Sequence, residues 1–183
     1  MKNKTVLLMT DVVEIDKEFL LNLTDSVSNL VIAGLNIRRY SKLVQNIPNL
    51  NIDLQEIDLA QSSQIKQIME YVLRQYHKID IVFLIIGLKT MNFSDKTQID
   101  YSVYCVLNVM ENSLRILKDQ DASRIMIAYA VKNMIVAPKL KFMPALDYII
   151  KNIYRGFNQM EEEKGLKIEF LSPEMFFNGY LKS

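Results

Sequence analysis

The chain has 183 residues, of which 50% are hydrophobic and 23% are charged, a composition that excludes disorder and predicts a single globular domain over residues 1–183. Lys and Arg total 22 against 21 Asp and Glu, so the net charge of +1 creates no bulk field for nucleic acid or anionic lipid. The single cysteine, Cys105, excludes an intramolecular disulfide, and no apolar run approaches the roughly 18 residues of a membrane span, so we expect a cytoplasmic protein.

Short apolar runs alternate with helical patterns along the whole chain. The predicted strands are 4–9, 30–33, 51–57, 79–86, 124–129 and 168–171. The predicted helices are 16–27, 37–47, 62–77, 94–117 and 144–163, with a turn at Ser28 and Asn29, Ser62 as an N-cap and Gly165 as a C-cap. This alternation predicts an α/β fold: a three-layer, doubly wound, Rossmann-like parallel sheet of about six strands with helices on both faces. By analogy with that fold we expect the strand order 3-2-1-4-5-6.

The junction between the first strand and the first helix, residues 9–20, contains no glycine. A dinucleotide-binding turn at this place needs glycines, because only a backbone without Cβ can turn tightly against a pyrophosphate. In place of glycines, this junction carries Asp11, Glu14 and Asp16 around the start of the presumed helix. Acidic side chains there satisfy the free N–H groups and the positive end of the helix dipole. A Mg²⁺ or Ca²⁺ site is the less favoured interpretation, because no glycine-shaped loop brings the three carboxylates together.

Several landmarks follow one another in a recognisable order. Thr10 follows the first predicted strand, Asp58 follows the third, and Gly87 follows the fourth. Lys151 lies in the last long helix, three residues after Tyr148. Further landmarks are Asp80, Gly156, Phe157 and Pro173. In this order and spacing they resemble the short-chain dehydrogenase/reductase family over nearly the whole chain.

The resemblance implies roles for five of these residues in an NAD(P)-dependent oxidoreductase. Thr10 matches the threonine that opens the family's glycine-rich turn, Asp58 its adenine-contacting Asp, and Gly87 the glycine of its Asn-Asn-Ala-Gly motif. These three are the candidate cofactor-binding residues. Lys151 matches the lysine of the Tyr-x-x-x-Lys motif, and Tyr148 is the candidate catalytic tyrosine if the helix is slightly rotated.

The chain departs from the family at most of the positions that carry its chemistry. The three glycine positions of the family's turn hold Asp11, Ile15 and Lys17 in this chain. The position of the acidic residue that ends the family's second strand holds Gly34. The family's Asn-Asn-Ala is replaced by Leu84, Ile85 and Ile86. Ser102, Ala130 and Asp147 stand at the helix Asn, the catalytic Ser and the catalytic Tyr, and Pro173 is followed by Glu174 where the family has Gly. The chain also stops where the family's substrate loop begins. These departures imply a degenerate and C-terminally truncated member.

The helix around Lys151 allows two interpretations. A tyrosine and a lysine four residues apart share one helix face, where the ammonium lowers the phenol's pKa. Tyr148 is three residues from Lys151, and Asp147 occupies the i−4 position. An Asp147–Lys151 ion pair is therefore favoured over a working Tyr148–Lys151 pair.

The two long helices, taken as 96–118 and 144–163, carry apolar residues on more than one face. A helix on an open sheet needs one apolar stripe, so additional apolar surface indicates a second buried contact. In the resembled family these helices form the main subunit interface. We expect a homodimer or a hetero-oligomer with a related reductase through them. The alternative is that residues 134–142 cover them within one chain.

Three functions remain open. The favoured hypothesis is a non-catalytic protein that acts as a structural or regulatory subunit, without a cofactor, through dimerisation or pairing with an active relative. The second is an NAD(P)-dependent oxidoreductase with a diverged site. The third is a small-ligand binder that uses the old cofactor cleft, lined by Leu84, Ile85 and Ile86.

Overall fold

The computed structural model describes residues 4–11, 15, 17–24, 27–45, 47, 50–88, 96–118, 120, 123–131, 143–161 and 167–171. The strands are β1 (Lys4–Thr10), β2 (Val27–Gly34), β3 (Asn51–Glu56), β4 (Ile81–Leu88), β5 (Arg124–Val131) and β6 (Lys167–Leu171). The helices are α1 (Lys17–Thr24), α2 (Ser41–Val44, preceded by a 3-10 turn at Ile37–Tyr40), α3 (Ser62–Tyr76), α4 (Lys96–Leu117) and α5 (Met143–Glu161).

The six strands form one parallel sheet in the order β3-β2-β1-β4-β5-β6. The predicted Rossmann-like architecture and strand order are therefore confirmed. The central strands β1 and β4 are almost continuously apolar because helices cover both of their faces. The expected cap at Gly165 lies outside the described residues.

Alternation along β1 divides the core between the two faces of the sheet. Leu7 and Met9 pack with residues of α3, α4 and α5. Val6 and Leu8 point the other way and pack with residues of α1 and of the 3-10 turn. Successive side chains of a strand alternate in this way, so a single run supplies both cores. Of the helices in the described part of the chain, none is long and apolar enough to cross a membrane.

Two local predictions of secondary structure, both next to β2, are wrong. The expected turn at Ser28 and Asn29 is wrong: both belong to β2, and Asn29 is in register with Asn51 of β3. The Asn29 amide donates to Thr5 Oγ1 at 3.3 Å, which gives a turn-forming side chain a partner inside the sheet. The predicted helix 37–47 is a 3-10 turn followed by a single turn of α-helix.

Two further polar residues mark the ends of α3. Ser62 is the first helical residue, and Gln61 is at the N-cap position. His77 ends the helix in the left-handed conformation, with φ of 66°, and its backbone N–H donates to the Leu73 carbonyl at 2.9 Å. This single bond is the αL form of helix termination, a place more often taken by glycine.

Asp80 joins three strands at the amino edge of the sheet. Its carboxylate accepts a hydrogen bond from the Thr5 backbone N–H at 2.7 Å and forms an ion pair with the Lys78 ammonium at 3.1 Å. Its backbone N–H donates to the Thr5 carbonyl, and its carbonyl accepts from the Arg124 N–H, each at 2.9 Å. Asp80 thereby links the starts of β1, β4 and β5. The candidate site lies at the opposite edge of the sheet, where the strands end.

Candidate functional site at the carboxyl edge of the sheet

The predicted cofactor residues converge at the carboxyl ends of three strands. Thr10 is the last residue of β1 and is followed by Asp11, Asp58 follows β3, and Gly87 lies next to the end of β4. In an open parallel sheet this edge, near the point where strand order reverses, is where ligands bind. Here β1 is that point, with β2 on one side and β4 on the other.

A hydrogen bond closes the edge between β1 and β4. The backbone N–H of Gly87 donates to Asp11 Oδ1 at 2.6 Å, a short charge-assisted contact between residues 76 positions apart. Asp11 stands where the resembled family has the first glycine of its turn. The N–H group therefore has an anionic partner within the chain, and a pyrophosphate approaching it would meet a fixed negative charge.

Tyr101, on α4, is half-buried and lies within electrostatic reach of the Asp11 carboxylate. Its hydroxyl is buried and has no hydrogen-bond partner among the residues that the structure describes. Burial raises the pKa of Tyr101 well above its ordinary range. The nearby Cys105 thiol and the carboxylates of Asp11 and Asp58 raise it further. The phenol is therefore neutral at physiological pH, and its buried hydroxyl lies within electrostatic reach of the Asp11 and Asp58 carboxylates.

Cys105 lies one helical turn after Tyr101 and is 1% exposed. Burial raises the pKa of its thiol from an ordinary 9.0 to about 12. A thiol in this state is protonated at neutral pH and is a poor nucleophile.

Gly34 is fixed by the close approach of β1. A Cβ built on Gly34 would lie 1.7 Å from the carbonyl oxygen of Thr10, a backbone atom that cannot move aside. In the resembled family an acidic residue that binds the adenine ribose ends this strand. No side chain fits here, so the ribose contact is missing for a steric reason as well as a chemical one.

Asp58 organises the loop that follows β3. Its Oδ1 accepts from the Ala60 N–H at 2.9 Å, and its own N–H donates to Gln64 Oε1 at 2.8 Å. The Asn108 amide of α4 donates to the Ala60 carbonyl at 2.9 Å and holds the same loop from the other side. Asp58 therefore forms an Asx-type turn, a structural role that aspartate commonly has in loops.

The candidate catalytic residues lie on the outer surface of α5. Tyr148 is 70% exposed and Lys151 is exposed, while Ile150 between them is fully buried. Lys151 has an interaction partner, and the Tyr148 carbonyl accepts from the Asn152 amide at 2.7 Å. The side chains of Ala130 and Asp147 lie outside the described residues, so the roles of Tyr148 and Lys151 stay predictions.

Two other predictions concerned an apolar cleft lined by β4 residues and a metal site at the start of α1. Leu84, Ile85 and Ile86 are at most 2% exposed and belong to the two cores, so the apolar cleft lining expected from them is wrong. They are interior residues of a strand that continues to Leu88. Glu14 and Asp16 lie outside the described residues, and within the described part no three metal-ligating side chains come together.

A basic depression beside the edge was not predicted. It is lined by Asn36, Arg38, Arg39 and Glu56, where β2 passes into the 3-10 turn. Arg38 is 94% exposed and pairs with Glu56 at 3.6 Å, and Arg39 Nε donates to the Asn36 carbonyl at 2.9 Å. The signal in the sequence was the adjacent pair of arginines just after the second strand.

Comparison with solved structures identifies the fold. The chain matches an NADH-dependent reductase A1-R′ complexed with NAD over 94% of its length and 78% of that chain, with a TM-score of 0.68 and 12% identity. It also matches a short-chain oxidoreductase from Pseudomonas aeruginosa PAO1 that contains an atypical catalytic center. This match covers 91% of the chain and 68% of that chain, with a TM-score of 0.69 and 16% sequence identity.

A third match is an alcohol dehydrogenase from the archaeon Thermococcus sibiricus complexed with 5-hydroxy-NADP, over 98% and 89% of the two chains, with a TM-score of 0.69 and 14% identity. No family model and no curated protein matches the chain. The chain has the fold of the short-chain dehydrogenase/reductases, at identities that are informative about fold rather than chemistry.

Proposed function

We propose that this chain is a non-catalytic protein derived from the short-chain dehydrogenase/reductase family, and that it acts through association rather than turnover. Its partner is a second copy or an active relative. The observation that carries the proposal is the 2.6 Å hydrogen bond from the Gly87 N–H to Asp11. The carboxylate occupies the position at which a dinucleotide phosphate would need a donor.

Two neighbouring features support the same conclusion. Gly34 leaves no room for a ribose-binding acid, and the buried Tyr101 hydroxyl lies within electrostatic reach of Asp11 and Asp58. Each feature comes from a different element, so restoring a cofactor site would require several simultaneous substitutions. The residues at this edge do not fit a dinucleotide.

The proposal is tested by measuring cofactor binding in solution. Titration of the chain with NADH and with NADPH, followed by the enhancement of cofactor fluorescence, should give no saturable signal at micromolar concentrations. An Asp11→Asn variant removes the charge but keeps the shape, and should also fail to bind because Gly34 and Tyr101 are unchanged. Saturable micromolar binding by the unmodified chain would sink the proposal.

One observation favours a second candidate, a phosphate-bearing ligand held outside the closed cleft. Arg38 and Arg39 present two guanidinium groups at the end of β2, and guanidinium groups match phosphate geometry with paired hydrogen bonds. In this alternative the chain is an oxidoreductase with a diverged NAD(P) site, or a binder of another small phosphate compound. Glu56 opposes it, because its carboxylate already pairs with Arg38.

The second candidate makes its own prediction. Isothermal titration with NADPH, and with adenosine 2′,5′-bisphosphate as the minimal phosphate probe, should then show binding that Arg39→Ala abolishes. A Lys42→Ala variant serves as a control, because Lys42 is an exposed cation on the same segment but outside the depression. Absence of heat with both probes would exclude this candidate.

A further inference from the structure

The strand β3 forms one edge of the sheet. Among the described strands its only neighbour is β2, which lies along one of its two sides. Its first and last residues, Asn51 and Glu56, are exposed, and the residues between them are half-buried. An edge strand presents a row of backbone N–H and C=O groups that can pair with another strand.

One hydrogen bond shows which backbone groups of β3 face away from the sheet. The Ile57 N–H donates to the Gly34 carbonyl at 3.1 Å, so the backbone of Ile57 points toward β2. Successive residues of a strand direct their N–H and C=O groups to opposite sides. The odd-numbered residues of β3 therefore bond to β2, and the even-numbered residues point outward. The outward residues are Ile52, Leu54 and Glu56.

This edge lacks the features that usually prevent strands from pairing. Natural edge strands are shielded by lysine, by proline, by a bulge or by an inward-pointing charge. The sequence of β3, NIDLQE, contains neither lysine nor proline. Its central charge is satisfied within the chain, because the Asp53 carboxylate accepts from the Tyr71 hydroxyl at 2.6 Å and from the Gln55 amide at 2.9 Å. Asp53 therefore carries no unpaired charge that would repel a strand.

The two faces of β3 differ in polarity. Asp53 faces α3, which carries Tyr71, and by alternation Asn51 and Gln55 lie on the same face. On the other face Ile52 and Leu54 are half-buried and pack against the core that includes the 3-10 turn. A strand added at this edge must continue a polar face and an apolar face. A second copy of β3 has this alternation.

An antiparallel copy of β3 centred on Leu54 uses every outward group. Leu54 then faces Leu54 of the second copy, and Ile52 faces Glu56 of the second copy. Each copy donates its three outward N–H groups to the other, which gives about six hydrogen bonds across the two-fold axis. Asp53 faces Gln55 of the second copy, whose amide has two N–H donors.

Neighbouring registers are less complementary. A centre on Asp53 would place two aspartates directly opposite each other, and like charges in that position are destabilising. It would also leave the backbone of Glu56 beyond the end of the second β3. A centre on Gln55 has the same defect at Ile52. The charges and the outward groups therefore select Leu54 as the centre.

We infer that two copies of this chain associate edge to edge through β3, antiparallel about a two-fold axis at Leu54, so that the two sheets become one continuous sheet. This inference rests on the proposed function, because it makes the associating partner a second copy. It goes further in naming the surface and its register. The surface is separate from α4 and α5, which pack over β4, β5 and β6.

A proline substitution tests the use of the edge. The Glu56 N–H points outward, so Glu56→Pro removes no hydrogen bond to β2, and proline is tolerated at such a position. It removes one intermolecular hydrogen bond on each side of the axis, so the dimer dissociation constant should rise by at least about tenfold. Glu56→Ala is the matched control. It loses only the exposed pair with Arg38 and should stay within about threefold of the original constant.

Sedimentation equilibrium measures the dissociation constants of the three proteins. Circular dichroism and urea denaturation establish that each variant keeps the fold. A dimer formed through any other surface, α4 and α5 included, would leave the constant of Glu56→Pro unchanged and would overturn the inference.

A mixed crosslink tests the register without altering any outward backbone group. In the inferred dimer residue 53 faces residue 55 of the second copy in a non-hydrogen-bonded pair, with Cα atoms about 4.5 Å apart. This distance suits a disulfide. Asp53→Cys and Gln55→Cys proteins, mixed and mildly oxidised, should therefore give a disulfide-linked heterodimer. The native Cys105 is buried and should not contribute.

Each cysteine variant alone is the matched control for the mixture. Its two introduced thiols lie on a diagonal across the axis, with Cα atoms roughly 7–8 Å apart, which is too far for a disulfide. The mixture should therefore crosslink several times more than either variant alone. Equal crosslinking in the three samples would overturn the register.

The outcomes separate this inference from the proposed function. A chain that stays monomeric at high micromolar concentration overturns the inference, even if it then binds a strand of another protein. If Glu56→Pro does not fold, the mixed crosslink alone decides. Binding of NADH or NADPH overturns the proposed function whatever the oligomeric state, so the two failures are distinguishable.

Discussion

At the scale of single residues, three aspartates bind the backbone at the edges of the sheet. Asp11 accepts from Gly87, Asp58 from Ala60, and Asp80 from Thr5, in each case a main-chain N–H group. Buried N–H groups need acceptors, so these three side chains are explained without any ligand. The sequence located all three beside strand ends but did not identify their partners, because the partners of Asp11 and Asp80 are 76 and 75 positions away.

Asp80 gives a residue-scale prediction about stability. Thr5 is fully buried, and its backbone N–H donates to the Asp80 carboxylate. Asp80→Ala removes this acceptor and leaves the Thr5 N–H without it. An unsatisfied buried donor costs about 1–3 kcal/mol of unfolding free energy. Urea denaturation should show this loss. Lys78→Ala, which removes only the partly exposed ion-pair partner, should cost under about 1 kcal/mol; equal losses in the two variants would refute the assignment.

The buried thiol gives a second prediction, on alkaline pH. The pKa of Cys105 rises from 9.0 to about 12 in the folded chain, so above pH 9 the unfolded chain loses a proton that the folded chain keeps. The stability linked to this group is complete below pH 9 and is lost as the pH rises toward 12. The pKa of Tyr71, raised to about 12 mainly by its hydrogen bond to Asp53, acts in the same direction.

Denaturant titrations between pH 8 and pH 11 should therefore show unfolding free energy falling with pH. Cys105→Ala lowers the stability at pH 8 through a small cavity, but its stability should fall less steeply with pH. Parallel slopes for the two proteins would contradict the buried state of the thiol.

At the scale of elements, periodicity and strand signals predicted the architecture but not the closure of its edge. Every predicted strand is present and the order is as expected, because buried parallel strands have continuous apolar runs that do not depend on distant partners. The segment 37–47 was misjudged because its apolar residues fit a helix, whereas the structure has only one α-turn there. The contact of Gly34 with Thr10 has no signature in either segment alone, since it arises only when β1 and β2 pair.

Gly34 gives the element-scale prediction. Gly34→Ala forces a Cβ against the Thr10 carbonyl and must shift β1 from β2, so the variant should lose several kcal/mol of unfolding free energy or fail to fold. Leu35→Ala, at the neighbouring exposed position, is the matched control and should change stability by less than about 1 kcal/mol. Thermal melts of the two variants compare them directly. A Gly34→Ala protein as stable as the original would show that the two strands are further apart than described.

At the scale of the whole molecule, the chain combines a dehydrogenase fold with an edge between β1 and β4 at which the Gly87 N–H is bound by the chain's own Asp11. The fold brings Thr10, Asp58 and Gly87 to the same edge of the sheet, where the resemblance implied a cofactor site. At that edge the Gly87 N–H is already bound by the Asp11 carboxylate. Sequence comparison with a motif could show that glycines were missing. The structure adds what one replacement does: the Asp11 carboxylate accepts a hydrogen bond from the Gly87 N–H, 76 positions away.

The most direct test of this central claim is a pair of thermal melts in the presence of a large excess of NADH or NADPH. A ligand present at 100 times its dissociation constant stabilises a folded protein by about 2.7 kcal/mol, which is several degrees for a chain of this size. We expect the melting temperature to stay unchanged with either nucleotide at millimolar concentration. A saturable upward shift of several degrees with either nucleotide would contradict it.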